Sequence, residues 1–160
     1  QESQDLFSGL AHQLVERSLQ VKVEVVRQDP YEKGIRAHLN FGHTLGHALE
    51  QALGFEQLSH GQAVALGMLA ATRLAISKGL CEEALYQQIH HLLTRWGLPT
   101  GWALPEKPPW ETVAAALLRD KKNQNGQVRF ILPLGLNNGQ RGMRLEAIPL
   151  DQVHPHYQNL

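Results

Sequence analysis

Two histidines stand one helical turn apart in LNFGHTLGHALEQALG, at His43 and His47, and each directly follows a glycine, Gly42 and Gly46. Imidazoles at i and i+4 share a helix face, which lets two of them approach one ion or one anionic ligand. The pattern His-Thr-Leu-Gly-His lacks the Glu that follows the first histidine in His-Glu-x-x-His zinc peptidases and acts as their base. A metallohydrolase is therefore disfavoured. A third imidazole, His60 in LSHGQAVALGM, sits at a loop-to-helix junction, and folding of the two helices against each other would bring it back towards His43. On spacing alone, any two of the three could pair at a metal. The flanking glycines would let a backbone or a ligand come close, or would serve helix packing only.

Basic and amide groups near this stretch suit a substrate with carboxylate and phosphate groups. Lys22 lies late in the first helical run, Arg36 and Asn40 precede the histidines, and Lys121 and Lys122 follow a later helix. An arginine and several lysines converging on a cleft would clamp such anions, while each alone is an ordinary solvated charge. The remaining histidines, His12, His38, His90, His91, His154 and His156, fall in amphipathic, loop or terminal contexts and are read as structural or surface groups.

The elements that must position these groups are mainly helical. Leu6, Leu10, Leu14 and Val15 recur at helical spacing, and the run continues to Val26 before Asp29 and Pro30 stop it. Residues 31–39 read as a mainly polar connection. A second helix is expected over 42–53, with Leu45, Leu49 and Leu53 on one face and Gly54 at its end. After the loop FEQLSH, the segment 61–77 is apolar nearly all round and should be the central buried helix. A fourth helix over 82–96 would turn Leu85, Ile89, Leu92 and Leu93 inward and end at Gly97 and Pro99. The Pro- and Trp-rich stretch from Pro99 to Pro109 reads as a packed connection, followed by a fifth helix over 110–120. NQNG then turns into the strand-like QVRFILPL, with MRLEAIPL as its partner. One mostly α domain over 1–160 with a small β hairpin near its C-terminus is the expected fold.

Composition narrows the function classes. Of 160 residues, 42% are apolar and 19% charged, enough for a core and too balanced for disorder. Fifteen basic residues offset fifteen acidic ones, so no global field draws nucleic acid or an anionic membrane, and neither partner is expected. The single Cys81 excludes an internal disulfide framework and fits a reducing compartment. No run reaches transmembrane length, and the first ten residues lack the features of a signal peptide. A cytoplasmic protein is expected, and a start at Gln1 without Met suggests a processed or partial chain.

Three blocks together carry a family resemblance: KVEVVRQDPYEKGIRAHLNFGHTLGHALE from Lys22, LSHGQAVALGM from Leu58 and LRDKKNQNGQVRFILPLG from Leu118. They resemble the C-terminal, mainly helical domain of 3-dehydroquinate synthase, in the family's order and over nearly the whole chain. The resemblance implies conversion of 3-deoxy-D-arabino-heptulosonate 7-phosphate to 3-dehydroquinate and phosphate in the shikimate pathway, with NAD⁺ and Zn²⁺ (or Co²⁺), and a homodimer when intact. It implies that His43 and His60 are metal ligands. It makes Lys22, Arg36, Asn40, His47 and the Lys121/Lys122 pair substrate-contacting groups, and it sets Glu32 where the family has an acidic active-site residue. Which of the two adjacent lysines points inward stays open.

The chain also departs from the family. Family enzymes carry an N-terminal nucleotide-binding domain, and this sequence has no Gly-rich strand–turn–helix to cradle a pyrophosphate. The family's third metal ligand, a glutamate, lies upstream of the segment that Gln1 begins, and the role does not transfer to Glu24 or Glu50. Half an enzyme is therefore expected, inactive without an N-terminal NAD-binding half, whether that half was cut away or is a separate partner. The rivals are another sugar phosphate cyclase of the 2-deoxy-scyllo-inosose synthase type and a catalytically silent helical interaction domain.

Overall fold

The computed structural model describes residues 2–119, 126–135 and 142–160. Lys121, Lys122 and the turn expected at NQNG, Gly126 apart, lie outside the described residues. The chain divides into two compact units, one ending at Leu39 and one over Asn40–Leu160.

In the first unit, α1 runs over Glu2–Gln28, as the leucine spacing predicts. Side-chain pairs one turn apart support it, Gln20 donating to Glu16 and Gln28 to Glu24. It stops at Asp29 because Pro30 disfavours helical geometry at the residue before it. Asp29 then organises the following turn. Its carboxylate accepts the backbone N–H groups of Lys33, Gly34 and Arg36 at 2.9, 2.7 and 3.1 Å. These bonds, the one from Lys33 foremost, hold its carboxyl below the usual carboxylate range. The connection expected over 31–39 is thus partly ordered. Ile35–Asn40 closes into a 3-10 helix, because a chain started by three N–H bonds to one carboxylate is already tightly curled.

In the second unit the central element is α3, His60–Ser77. Its sequence is apolar on every side, and accordingly Leu66, Leu69, Ala71, Leu74 and Ala75 are all buried. It begins one residue earlier than expected because Ser59 and Gln62 close a reciprocal capping box. Around α3 pack α2 (His43–Ala52), α4 (Glu83–Arg95), strand β1 (Gln127–Leu134) and α6 (Leu150–Gln158). A further helix, α5 (Trp110–Arg119), lies against α2 and β1 and buries Val113 and Leu117. Strand β1 pairs antiparallel with β2 (Gly142–Pro149) in the register Gln127 to Pro149 through Leu134 to Gly142. The mostly helical fold with a terminal hairpin is the one expected from the sequence.

Two details correct that expectation. Leu92 is 56% exposed, whereas the inward stripe of α4 is Tyr86, Ile89 and Leu93 against Ala65 and Leu69 of α3. A peripheral helix buries only a narrow stripe, and Leu92 sits beside it. The other is α6, which the polar sequence and Pro155 concealed. It holds because Val153 and Tyr157, one turn apart, are buried, and the Tyr157 hydroxyl donates to the Pro108 carbonyl in the Pro- and Trp-rich connection. Burial pushes the Tyr157 phenol up to about 12. Among the described residues no helix is long and apolar enough to cross a membrane.

Candidate metal centre

Helices α2 and α3 form an antiparallel hairpin with backbone in contact. A Cβ on Gly42, whose φ is +81°, would lie 2.6 Å from the Val64 carbonyl oxygen, and one on Gly46 3.2 Å from Ala63 backbone atoms. A Cβ on Gly67 would overlap the Gly42 carbonyl oxygen. Gly42 thus faces Gly67 and Gly46 faces Ala63, and one turn further along the same register Glu50 faces His60. The glycines that precede His43 and His47 admit the α3 backbone. They are the reason residues of two helices can converge so closely.

On this frame three imidazoles meet. The ring centroids of His43 and His47 are 5.4 Å apart, those of His43 and His60 5.2 Å, and those of His47 and His60 5.7 Å. One nitrogen from each lies within 4.8 Å of the others. His43 is half-buried, while His47 and His60 are open to solvent. Nδ1 of His43 lies 3.3 Å from the Phe41 carbonyl, a bond that a protonated Nδ1 donates and that leaves Nε2 with a free lone pair. Desolvation lowers the His43 pKa below 6.5, outweighing the Phe41 bond, and the neighbouring His47 and His60 push the same way. His43 is therefore held neutral, the form that binds a metal.

These donors fit a divalent borderline ion. Imidazole nitrogen is a donor that zinc and cobalt accept, and the cluster offers more than one such nitrogen within reach of a single ion. No comparable cradle for a dinucleotide exists among the described residues. The two strands form an antiparallel hairpin, and neither leads through a Gly-rich turn into a helix.

The other expected site residues divide between the units. Lys22, Glu32 and Arg36 lie in the first, where Lys22 and Glu32 are exposed and Glu32 adopts a φ of +53°. The Arg36 guanidinium donates to the Pro30 carbonyl at 2.7 Å, so the loop fixes its direction. Asn40 lies in the second unit with the histidines and is half-buried. Sequence reading missed Glu50. It is buried at 9% exposure, and both carboxylate oxygens lie within 3.3 Å of His60 Nδ1. The available signal was its place at i+7 from His43, on the same stripe as His47.

Residues 2–123 match the family described as 3-dehydroquinate synthase C-terminal. The 3-dehydroquinate synthase of Synechocystis sp. is 43% identical over 145 residues, which cover 85% of this chain and 39% of that protein. That of Acaryochloris marina is 47% identical over 124 residues, 78% of this chain and 33% of its own length. The chain thus spans well under half the length of these relatives. Among solved structures, 2-deoxy-scyllo-inosose synthase complexed with carbaglucose-6-phosphate, NAD⁺ and Co²⁺ superposes with a TM-score of 0.74 at 26% identity, over 88% of this chain and 40% of that one. The 2-epi-5-epi-valiolone synthase of Streptomyces hygroscopicus, with NAD⁺ and Zn²⁺ bound, gives 0.72 at 23% identity, over 94% and 40%, and shares the fold.

Proposed function

This chain belongs to the 3-dehydroquinate synthase C-terminal family, and we propose that it is the metal- and substrate-binding half of a 3-dehydroquinate synthase, converting 3-deoxy-D-arabino-heptulosonate 7-phosphate to 3-dehydroquinate and phosphate. The observation that carries this reading is the convergence of His43, His47 and His60, one nitrogen from each within 4.8 Å of the others. His43 and His60 hold a divalent ion, and His47 reaches the substrate from the next turn of α2. When bound, that ion supplies Lewis acidity to the hydroxyl being oxidised.

The chain's own residues bind and orient. Desolvation lowers the His43 pKa and so favours the neutral ring, whose Nε2 lone pair is left for the ion while Nδ1–H bonds Phe41. Asp29 pins the turn that carries Arg36, and the donors of Arg36 not committed to Pro30 meet the substrate's carboxylate. Lys22, Glu32, Asn40 and the Lys121/Lys122 pair complete the set of substrate groups, the lysines taking anionic ends and Asn40 a hydroxyl. Holding a flexible sugar phosphate in one geometry removes much of the entropic barrier to a multistep rearrangement. NAD⁺ binds to a nucleotide-binding half, since the described residues offer no cradle for it, and turnover requires that half.

The test is phosphate release from the heptulosonate 7-phosphate with NAD⁺ and Zn²⁺, measured with and without a nucleotide-binding half taken from a relative. Release only with both halves, abolished by His60→Ala, supports the assignment. Release from this chain alone, or full release by the His60→Ala complex, refutes it.

A further inference from the structure

The buried carboxylate of Glu50 has no place in the chemistry above, yet it is bonded to a member of the histidine cluster. We infer that Glu50 is a positioning residue that fixes His60 in the Nδ1–H tautomer, leaving Nε2 as its metal-binding nitrogen; this rests on the metal reading just given. Three observations carry it. Glu50 is only 9% exposed, and a carboxylate at that depth is costly without a hydrogen-bond donor. The donor is Nδ1 of His60, at 3.2 and 3.3 Å from the two oxygens. The His60 side chain itself is 57% exposed, so little packing holds its ring beyond its contacts with the His43 and His47 rings, and the carboxylate bond orients it.

The helix geometry explains why this residue can reach. His43, His47 and Glu50 occupy positions i, i+4 and i+7 of α2, one stripe along its length. The glycine contacts set α3 antiparallel against that stripe, which brings its first residue, His60, opposite Glu50. In water a free imidazole favours the Nε2–H form, which would block the nitrogen needed for a metal. Glu50 reverses that preference by accepting the proton's hydrogen bond at Nδ1.

A merely structural ion pair would tie α2 to α3 without affecting the tautomer's use, so the experiment reads both. Long-range ¹H–¹⁵N spectra of the metal-free chain should show His60 with its proton on Nδ1. Glu50→Leu, which keeps the packing and removes the acceptor, should move that proton to Nε2. Titration with Co²⁺, followed by its visible absorption, should show about 10- to 100-fold weaker binding for Glu50→Leu, the range for partners that orient ligating histidines. Glu50→Gln, which retains an acceptor, should lose less and serves as the second variant if Glu50→Leu does not fold. Nε2–H in the unaltered chain, or unchanged Co²⁺ affinity in a folded Glu50 variant, would overturn the inference. Failure of the unaltered chain to bind Co²⁺ while His60 is Nδ1–H would remove the metal reading itself, and the positioning role with it.

Discussion

At the α2–α3 corner the His43 ring stands edge-on to those of His47 and His60, one nitrogen from each of the three lies within 4.8 Å of the others, and two of the three rings stand open to solvent although His47 and His60 stack at 27°. On α6 the histidines do something else. His154 lays its ring face on Trp110, with centroids 4.7 Å apart and planes within 12°, and Nε2 of His156 rests 3.4 Å from the Ser77 hydroxyl. The amino acid is the same and the α6 pair sits two residues apart, so residue type does not decide the role. What decides it is whether nitrogens converge on one point or the ring face is spent on packing. A frame that brings two backbones into contact gives the first, and a helix laid over an aromatic shelf gives the second.

The largest effect should come from breaking the frame. Gly67→Ala drives a methyl into the Gly42 carbonyl, and we expect a loss of about 3 kcal/mol, the upper end for overpacking. The control is Gly61→Ala on the same helix, where nothing lies within 4 Å of the added carbon and stability should hold or rise slightly. Thermal melts decide it, and equal melting temperatures for the two variants would mean the backbones are not in contact.

Next comes the contrast between the two histidine groups. His60→Ala should weaken Co²⁺ binding by more than about 100-fold, beyond what loss of an orienting partner costs, and should also lower the melting temperature because it leaves the buried Glu50 carboxylate without its donor. His154→Ala should give up about 1 kcal/mol of ring stacking while Co²⁺ affinity stays constant. Parallel loss of metal in both variants would erase the distinction between the two sites.

The smallest effect is one the two groups share. Burial holds the pKa of both His43 and His156 below 6.5, and Arg73 adds to the shift at His156. Between each folded value and 6.5 the unfolded chain binds more protons, so these histidines' contribution to stability is complete above 6.5 and falls as the pH drops through that window. Urea midpoints should therefore be lower at about pH 5.5 than at about pH 7.5, and His156→Asn should flatten the difference in part. A midpoint that rises on acidification would contradict both shifts.

Much of this was legible in the sequence, and the failures have physical causes. The apolar period of residues 42–53 and the all-apolar run of α3 report burial directly, because apolar side chains repeated at helical spacing leave water on one face. β1 reads as a strand from Val128, Phe130 and Ile131, and its pairing with β2 follows from a second strand-length segment close behind it. Helix α6 was hidden because its stability lies in two buried side chains and a bond to Pro108, none of which leaves a pattern in a nine-residue polar segment. The histidines stood out by type and spacing. Glu50 did not, since an acidic residue on a helix normally faces water, and only the fold reveals that this one is enclosed against His60.

The helix hairpin that carries the three imidazoles is joined by a connection of only seven residues, 53–59. Contacts between its arms are therefore close in sequence, and closing so short a loop costs little chain entropy. Low contact order favours fast formation. The histidine corner should thus be among the earliest parts of the second unit to assemble, ahead of the packing of α6 on Trp110, which links residues more than forty positions apart. A divalent ion meeting the nascent chain would find its ligands gathered before the rest of the core had closed, and by binding them could draw folding forward rather than wait for its end.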